Sequence, residues 1–305
     1  MTVSNPLSHP NLRKAVAGIR GEVKFEEPLS EWTSLRIGGP AEAFVVPEDR
    51  HDLAQLLVNI ETCHIPWCVL GGTNLLIQDR GIRGVVISLS KMSGIQDETE
   101  NRIFAEAGVR MPILLQYAIK RSLSGLEWAT GIPGTVGGGV VMNAGTHLGE
   151  MKDALDAVQL VNPLGKTVTL HRDELSFRYR HTDLPNGIVV GAWFQLKKSS
   201  QKEIEAATKA YLQYRKNTQP LTRPNAGSIF KNPPGQSAGK LIEEAGLKGT
   251  RIGDAQISQK HGNFIVNIGA ARATDVVLLI KKIQQDVFKR NGIQLELELQ
   301  VLGDS

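Results

Sequence analysis

Several things scarce in this sequence narrow its function. It has two cysteines in 305 residues, Cys63 and Cys68. So few thiols build no disulfide framework, and a pair of free thiols in a reducing compartment is the expectation. No cysteine–histidine group has zinc spacing, and the seven histidines are dispersed with no HExxH. No metal site is expected. Fully apolar runs end at about five residues, as in Val276–Ile280, where a membrane span needs about 20. The N-terminus lacks an apolar signal core, so the cytoplasm is the expected location. Net charge is only +4, and basic residues come in pairs such as Lys197–Lys198 and Lys281–Lys282, without interleaved aromatics. That argues against a nucleic-acid surface and suits a small anionic substrate. A Rossmann signature is missing as well: the turn Gly71–Asn74 follows an expected strand, but no GxGxxG opens a helix after it.

Glycine is plentiful in one place. Gly131 to Gly149 reads GIPGTVGGGVVMNAGTHLG, seven glycines in nineteen residues. Each glycine loses much backbone entropy on ordering, so neither an ordinary helix nor a strand is expected there. Ile132, Val136, Val140, Val141 and Met142 stand between the glycines, which reads as a loop packed on a core rather than a polar linker. Backbone amides in such a loop can cradle a phosphate or a cofactor. A structural turn is the alternative.

Hydrophobic residues make up 41% and charged residues 22%, a soluble globular balance with length for two or three domains. The strand 43–46, a helix 49–61 with Leu53, Leu56, Leu57 and Ile60 on one face, and the strand 67–70 form an alternating unit. Short strands are expected at 75–77 and 84–89. A strand at 103–109, a helix from Pro112 to about Ser122, a hairpin 157–170 turning at Pro163 and Gly165, and a strand 188–197 surround the glycine segment. A helix 201–215 opens the last part. There Ser237 caps a helix 238–245 stopped by Gly246, a strand covers 264–268, and Thr274 caps an amphipathic helix to Arg290 closed by Gly292. Alternation over 295–302 predicts a terminal strand with Glu296 and Glu298 on one face. The fold class is α+β, divided as 1–95, 96–200 and 201–305.

Four groups of residues can carry chemistry. Phe177-Arg178-Tyr179-Arg180-His181 follows a hairpin; its two arginines can clamp a carboxylate or form a solvated basic turn. In Asn225-Ala226-Gly227-Ser228, then Phe230-Lys231-Asn232, the serine can approach a ligand and hand over a proton, or be a turn serine. It is not a GxSxG elbow. Glu296 and Glu298 are one catalytic acid and one solvated acid, or simply a polar outer face. His261 and Asn263 precede a strand, and the histidine reads as a local hydrogen-bonder.

Together, WTSLRIGGPA, GGTNLL, SGLEWATGIPGTVGGGVVMNAG, FRYR, NAGSIFKNP, AGKLIEEAGLKG, HGNFIVN and LELELQVLG resemble, in order over roughly Trp32–Gly303, the UDP-N-acetylenolpyruvoylglucosamine reductases (UDP-N-acetylmuramate dehydrogenases, MurB). The resemblance is to the shorter class of that family. It implies a two-subdomain FAD-binding fold of the vanillyl-alcohol-oxidase/p-cresol-methylhydroxylase type, over 1–95 and 96–200, and a C-terminal α+β substrate domain, 201–305. It implies a cytoplasmic enzyme of peptidoglycan synthesis with non-covalent FAD, NADPH as hydride donor and a UDP-sugar as substrate. Hydride goes to C3 of the enolpyruvyl ether and a proton to C2. Arg180, Ser228 and Glu298 match its catalytic arginine, proton donor and terminal acid. Tyr179, Lys231, Asn232 and Asn263 fall where the family contacts substrate. Gly71, Gly72, Thr73, Asn74, Gly131, Ile132, Pro133, Gly134, Gly137, Gly138, Asn143, Ala144 and Gly145 fall where it holds FAD. The oligomeric state is left open, with a monomer favoured.

The sequence departs from the family pattern in places. The turn Gly71–Asn74 has one glycine fewer than the usual GGGSN. Thr146-His147-Leu148 replaces Ala-Tyr-Gly, His181-Thr182 replaces an acid–serine pair, and Leu297 replaces a proline. Two other functions compete: an oxygen-using oxidase of the same fold acting on a sugar or alcohol, and a non-enzymatic nucleotide-sugar binding module.

Overall fold

The computed structural model describes residues 11–304. The polar first ten residues, read above as lacking a signal core, and Ser305 lie outside the described residues. The chain forms two compact units, one of residues 1–25, 42–72 and 83–213, the other of 26–41, 73–82 and 214–305.

The first unit carries two sheets. One has four strands in the order Glu22–Pro28, Pro40–Val46, Ile82–Ser88, Trp67–Leu70. The helix Arg50–Cys63 precedes Trp67–Leu70, which pairs parallel to Ile82–Ser88. The expected apolar face is the buried one: Leu53, Leu56, Leu57 and Ile60 are at most 1% exposed. Asp49 caps this helix by accepting the Asp52 amide, and His64 ends it in the left-handed region. Asp52 is a buried carboxylate (3% exposed), and it accepts the amides of Arg20, Gly21 and Glu48. A buried carboxylate persists only when its oxygens are satisfied in this way.

The second sheet is antiparallel, in the order Thr167–His171, Leu155–Val161, Ile188–Gln195, Arg102–Glu106, Ile95–Thr99. The turn between its first two strands is as read from sequence. Gly165 donates to the Asn162 carbonyl at 2.9 Å with φ +75°.

The second unit has its own core of Ile229, Phe230, Ile242, Ile257, Ile265, Val276, Leu279 and Leu299, among others. Three short strands, Arg251–Ile252, Ala255–Ile257 and Ile265–Asn267, form a meander. The helix Ala238–Glu244 is capped by Ser237 as expected, and Gly246 follows at φ +73°.

Two expectations need correction here. The long helix Ala273–Asn291 is capped from a distance, not by Thr274. The Asp79 carboxylate accepts the amides of Ala273 and Thr274 and the Thr274 hydroxyl. Three donors at a helix start suit a carboxylate better than a hydroxyl does. The terminal strand is also shorter than alternation suggested. Only Gln300–Leu302 is strand, paired parallel with Leu75–Ile77. Leu295 and Leu299 are still buried while Glu296 is exposed and Glu298 half-buried. Residues 296–298 instead follow the Ser228 segment, through a single bridge from Leu297 to Phe230.

Among the described residues, no helix is long and apolar enough to cross a membrane. No group of three or more metal-binding side chains occurs among them either. Both cysteines are free thiols, and burial pushes the Cys68 thiol up to about 11, which keeps it in the neutral thiol form at neutral pH.

Candidate active site

In the first unit the glycine segment is not a loop throughout. Val136–Val141, sequence VGGGVV, is one and a half turns of helix. Its glycines are there because backbone lies against backbone. A Cβ on Gly138 would stand 2.5 Å from the Gly71 carbonyl oxygen, and one on Gly137 would stand 2.9 Å from the Ala107 Cβ. Space, not flexibility, dictates the composition, and the tertiary contact offsets the poor helix propensity of glycine.

The two glycine-rich pieces of the sequence meet here. The Thr135 amide donates to the Gly71 carbonyl at 3.1 Å and its hydroxyl to the same oxygen at 3.0 Å. The helix's first amides are already committed: Val136 to Val109, Gly137 to Ala107, Gly138 to the Thr135 hydroxyl and Gly139 to the Thr135 carbonyl. The amides of Gly71, Gly72, Gly131 and Gly134 have no acceptor among the described residues. All four residues are half-buried. The donors that can meet an anion therefore lie in the turns beside the helix, not at its start. Ile132 is half-buried and Pro133 exposed.

Asn143 and Thr182 tie this segment to the hairpin Ser176–Arg178/His181–Asp183. Asn143 has no exposed surface. Its amide nitrogen donates to Glu150 at 3.0 Å and to the Arg178 carbonyl at 3.3 Å, and its oxygen accepts the Lys152 amide. Its side chain is therefore a strut, where the sequence suggested a cofactor contact. The buried Thr182 hydroxyl donates to the Val140 carbonyl, so threonine keeps the hydroxyl of the usual serine. Ala144 and Gly145 continue into a two-residue pairing, Gly145–Thr146 with Gly149–Glu150. His147 and Leu148 form its exposed tip.

Tyr179 and Arg180 are the two residues at the hairpin turn, and Arg180 has φ +58°. A non-glycine residue in this region is costly and is held there by its surroundings. The guanidinium lies 4.8 Å over the Tyr179 ring. Of the two arginines, Arg178 pairs with Asp183, which also takes His181. Burial raises the Glu150 carboxyl, but hydrogen bonds from Lys152 and Asn143 and the charges of Lys152 and Arg180 outweigh it. Glu150 thus stays below its ordinary value and ionised.

In the second unit, Ser228 sits in a segment fastened on both sides. The Ile229 amide donates to the Asn263 carbonyl at 2.9 Å. The Ile229 carbonyl accepts from Glu298 at 2.9 Å and Leu299 at 3.2 Å. Lys231 donates from its amide to the Glu296 carbonyl, and its ammonium reaches the Glu296 carboxylate at 3.5 Å. Glu298 and Ser228 are thus joined through one intervening residue. The Ser228 hydroxyl is half-buried and has no partner among the described residues.

Three further asparagines hold backbone in this unit. The Asn74 side chain donates to the Glu298 carbonyl at 3.3 Å, and its backbone carbonyl accepts the Gln300 amide at 2.8 Å. Asn232 accepts the first amide of the helix Ala238–Glu244 at 3.0 Å. Asn263, 3% exposed, accepts the Phe230 amide at 2.9 Å and donates to the Phe230 carbonyl at 2.8 Å. Its amide is spent on backbone, where the sequence suggested a substrate contact. Ser34 donates to the Thr73 carbonyl at 2.8 Å. Burial and the nearby Lys248 lower the pKa of His261, and its Nδ1 accepts the Asn263 backbone N–H. It is the local hydrogen-bonder expected. Sequence reading missed Glu150, Asn143 as a strut and Asp79, since each acts through a partner that only folding brings near.

Residues 41–171 match the FAD binding domain family, and residues 219–302 match the family of the UDP-N-acetylenolpyruvoylglucosamine reductase C-terminal domain. The reductase of Syntrophus aciditrophicus is 49% identical over 292 residues, 94% of each chain. That of Geotalea uraniireducens is 43% identical over 294 residues, 95% of this chain and 97% of its own. The crystal structure of the reductase (MurB) from Thermus caldophilus superposes with a TM-score of 0.80 at 42% identity, covering 93% of this chain and all of that one. The fold is that of the reductase family, an FAD-binding domain with a C-terminal α+β domain. The chain belongs to the UDP-N-acetylenolpyruvoylglucosamine reductase family, and it is an FAD-dependent oxidoreductase.

Proposed function

We propose that the chain catalyses the NADPH-dependent reduction of the enolpyruvyl ether of UDP-N-acetyl-3-O-(1-carboxyvinyl)-glucosamine to UDP-N-acetylmuramate, for peptidoglycan synthesis. The observation that carries this is the Ser228 hydroxyl, half-buried and without a partner among the described residues, next to Ile229, whose carbonyl accepts the Glu298 amide. A proton donor aimed at one carbon needs that combination of fixed backbone and uncommitted hydroxyl.

The glycine surface of the first unit fits a dinucleotide. Its open amides at Gly71, Gly72, Gly131 and Gly134 suit a pyrophosphate, and its lack of Cβ atoms allows close approach. Gly137, Gly138, Ile132, Pro133, Ala144 and Gly145 shape that surface, with Asn143 behind it. Thr73 and Asn74 are assigned to the same cofactor. Bound there, FAD supplies hydride transfer from NADPH to C3 of the substrate.

This chain's residues do the rest. As hydride adds at C3, negative charge moves through C2 into the substrate carboxylate. Arg180 stabilises the charge where it develops. Ser228 gives its proton to C2, and Glu298 is assigned to relay a proton from solvent back to the serine oxygen. Tyr179, Lys231 and Asn232 are assigned to the substrate. Segments 1–95 and 96–200 serve the cofactor and 201–305 the substrate. The enzyme is a cytoplasmic monomer that needs neither membrane nor nucleic acid.

The test is to follow the bound flavin in two half-reactions. NADPH should bleach it, and the enolpyruvyl nucleotide sugar should restore its colour. Reoxidation by oxygen coupled to turnover of a sugar or alcohol, with none by the nucleotide sugar, overturns the proposal in favour of an oxidase.

A further inference from the structure

The double hydrogen bond between Asn263 and Phe230 has no part in the roles just given. It copies, with a side chain, what a neighbouring strand does with backbone: one group accepts an N–H and one donates to a C=O. With the Ile229-to-Asn263 bond, three hydrogen bonds fix the two residues after Ser228 to the segment around Asn263. The Ile229 carbonyl on the far side receives Glu298 and Leu299. Asn263 is 3% exposed and Phe230 1%, so water does not replace these bonds.

Resting on the function proposed above, we infer that Asn263 is a positioning residue for the protonation step. It sets the register of the Ser228 segment against Glu298 instead of touching the substrate. The amide is required because donor and acceptor must sit on one planar group. Removing the donor leaves the buried Phe230 carbonyl unpaired. Replacing it by a carboxylate sets two oxygens against each other.

The experiment uses full-length protein loaded with FAD and rapid mixing, and compares wild type, Ser228→Ala, Asn263→Ala and Asn263→Asp. In Asn263→Ala, flavin reoxidation by the enolpyruvyl nucleotide sugar should slow on the order of tenfold to a hundredfold. Flavin reduction by NADPH and the KM for the nucleotide sugar should stay within about twofold, the split expected of a group acting only at the chemical step. Asn263→Asp should show the same loss at high pH and recover as pH falls. A protonated carboxyl has an O–H to offer the Phe230 carbonyl, and burial raises its pKa toward the working range.

His261, whose Nδ1 accepts the Asn263 backbone N–H, titrates too, under the influence of Lys248 and Glu243. It is present in every variant, so the profile of wild type and Asn263→Ala removes its contribution. Should Asn263→Ala not fold, the pH recovery of Asn263→Asp decides alone. A raised KM with unchanged reoxidation, equal loss in both half-reactions, or an Asp variant that does not recover overturns the inference. If wild type is not reoxidised by the nucleotide sugar at all, the functional proposal falls and this inference with it. If wild type and Ser228→Ala behave as expected and the Asn263 variants do not, only the inference falls.

Discussion

The glycine segment of the first unit and the Ser228 segment of the second hold backbone in place by opposite means. Around Gly138 the side chains have been taken away, and backbone packs on backbone at Gly71. Around Ser228 side chains have been added: Asn74, Asn232 and Asn263 each satisfy peptide groups that no strand or helix reaches. The first method leaves a smooth surface suited to a large planar cofactor with a pyrophosphate. The second leaves a single side chain standing at a fixed point. The first should be sensitive to added volume, and the second to the loss of a donor or acceptor at constant volume.

The largest effect expected is at the fixed point itself. Ser228→Ala removes one oxygen and should slow flavin reoxidation by substrate by roughly 10²–10⁴, with NADPH-driven reduction nearly intact. Equal loss in both half-reactions, measured by stopped flow at the flavin band, would remove Ser228 from the protonation step. Next comes Gly138→Ala. Its methyl group would meet the Gly71 carbonyl at 2.5 Å, which forces a backbone shift costing about 1–3 kcal/mol. The purified variant should carry less flavin, read from the ratio of flavin to protein absorbance. Full flavin content and unchanged thermal stability would break the contrast drawn above.

Asp79→Ala tests the same contrast at a helix end, with about 1–2 kcal/mol expected from the lost cap. Burial raises the Asp79 carboxyl, but the Thr274 hydroxyl, the Ala273 and Thr274 amides and Arg272 together bring it below its ordinary value. A folded-state pKa below the unfolded one stabilises fully above the unfolded value, and that gain is lost as pH falls through the folded value. The stability gap between wild type and variant, from denaturant melts, should therefore be constant near neutrality and narrow in acid below about pH 4. A gap that widens in acid contradicts the assignment. The smallest effect is at Asn232→Ala, about 1 kcal/mol from one cap, with KM for the nucleotide sugar rising as its proposed substrate contact is lost. A stability change without a KM change makes Asn232 a cap only.

Elements with local causes were legible in the sequence. The helix Arg50–Cys63, the turn at Gly165 and the start and stop of the helix Ala238–Glu244 each depend on residues within one or two turns. What was misread depends on distant partners. Three successive glycines speak against a helix until Gly71 and Ala107 are seen against them. Thr274 looks like a cap until Asp79 arrives from almost two hundred residues earlier. Alternation at Leu295–Leu299 looks like a full strand, yet much of its pairing capacity goes to the irregular Ser228 segment. The candidate site followed the same rule. Its motifs mark the residues, but Arg178 is paired with Asp183, and the amides of Asn143 and Asn263 are spent on the fold.

The parallel pairing of Leu75–Ile77 with Gln300–Leu302, together with Asp79 at the start of the last helix, has a consequence for the order of assembly. Ribosomes deliver residues 73–82 long before residues 273–302. Throughout that interval an apolar strand and a carboxylate wait without their partners, while residues 83–213, which belong to the other unit, are made and completed. Closing a loop of such length is slow compared with local helix formation. The second unit should therefore mature last, only after translation has passed the final strand. Chains stalled before residue 300 should expose Leu75–Ile77 to chaperones and proteases.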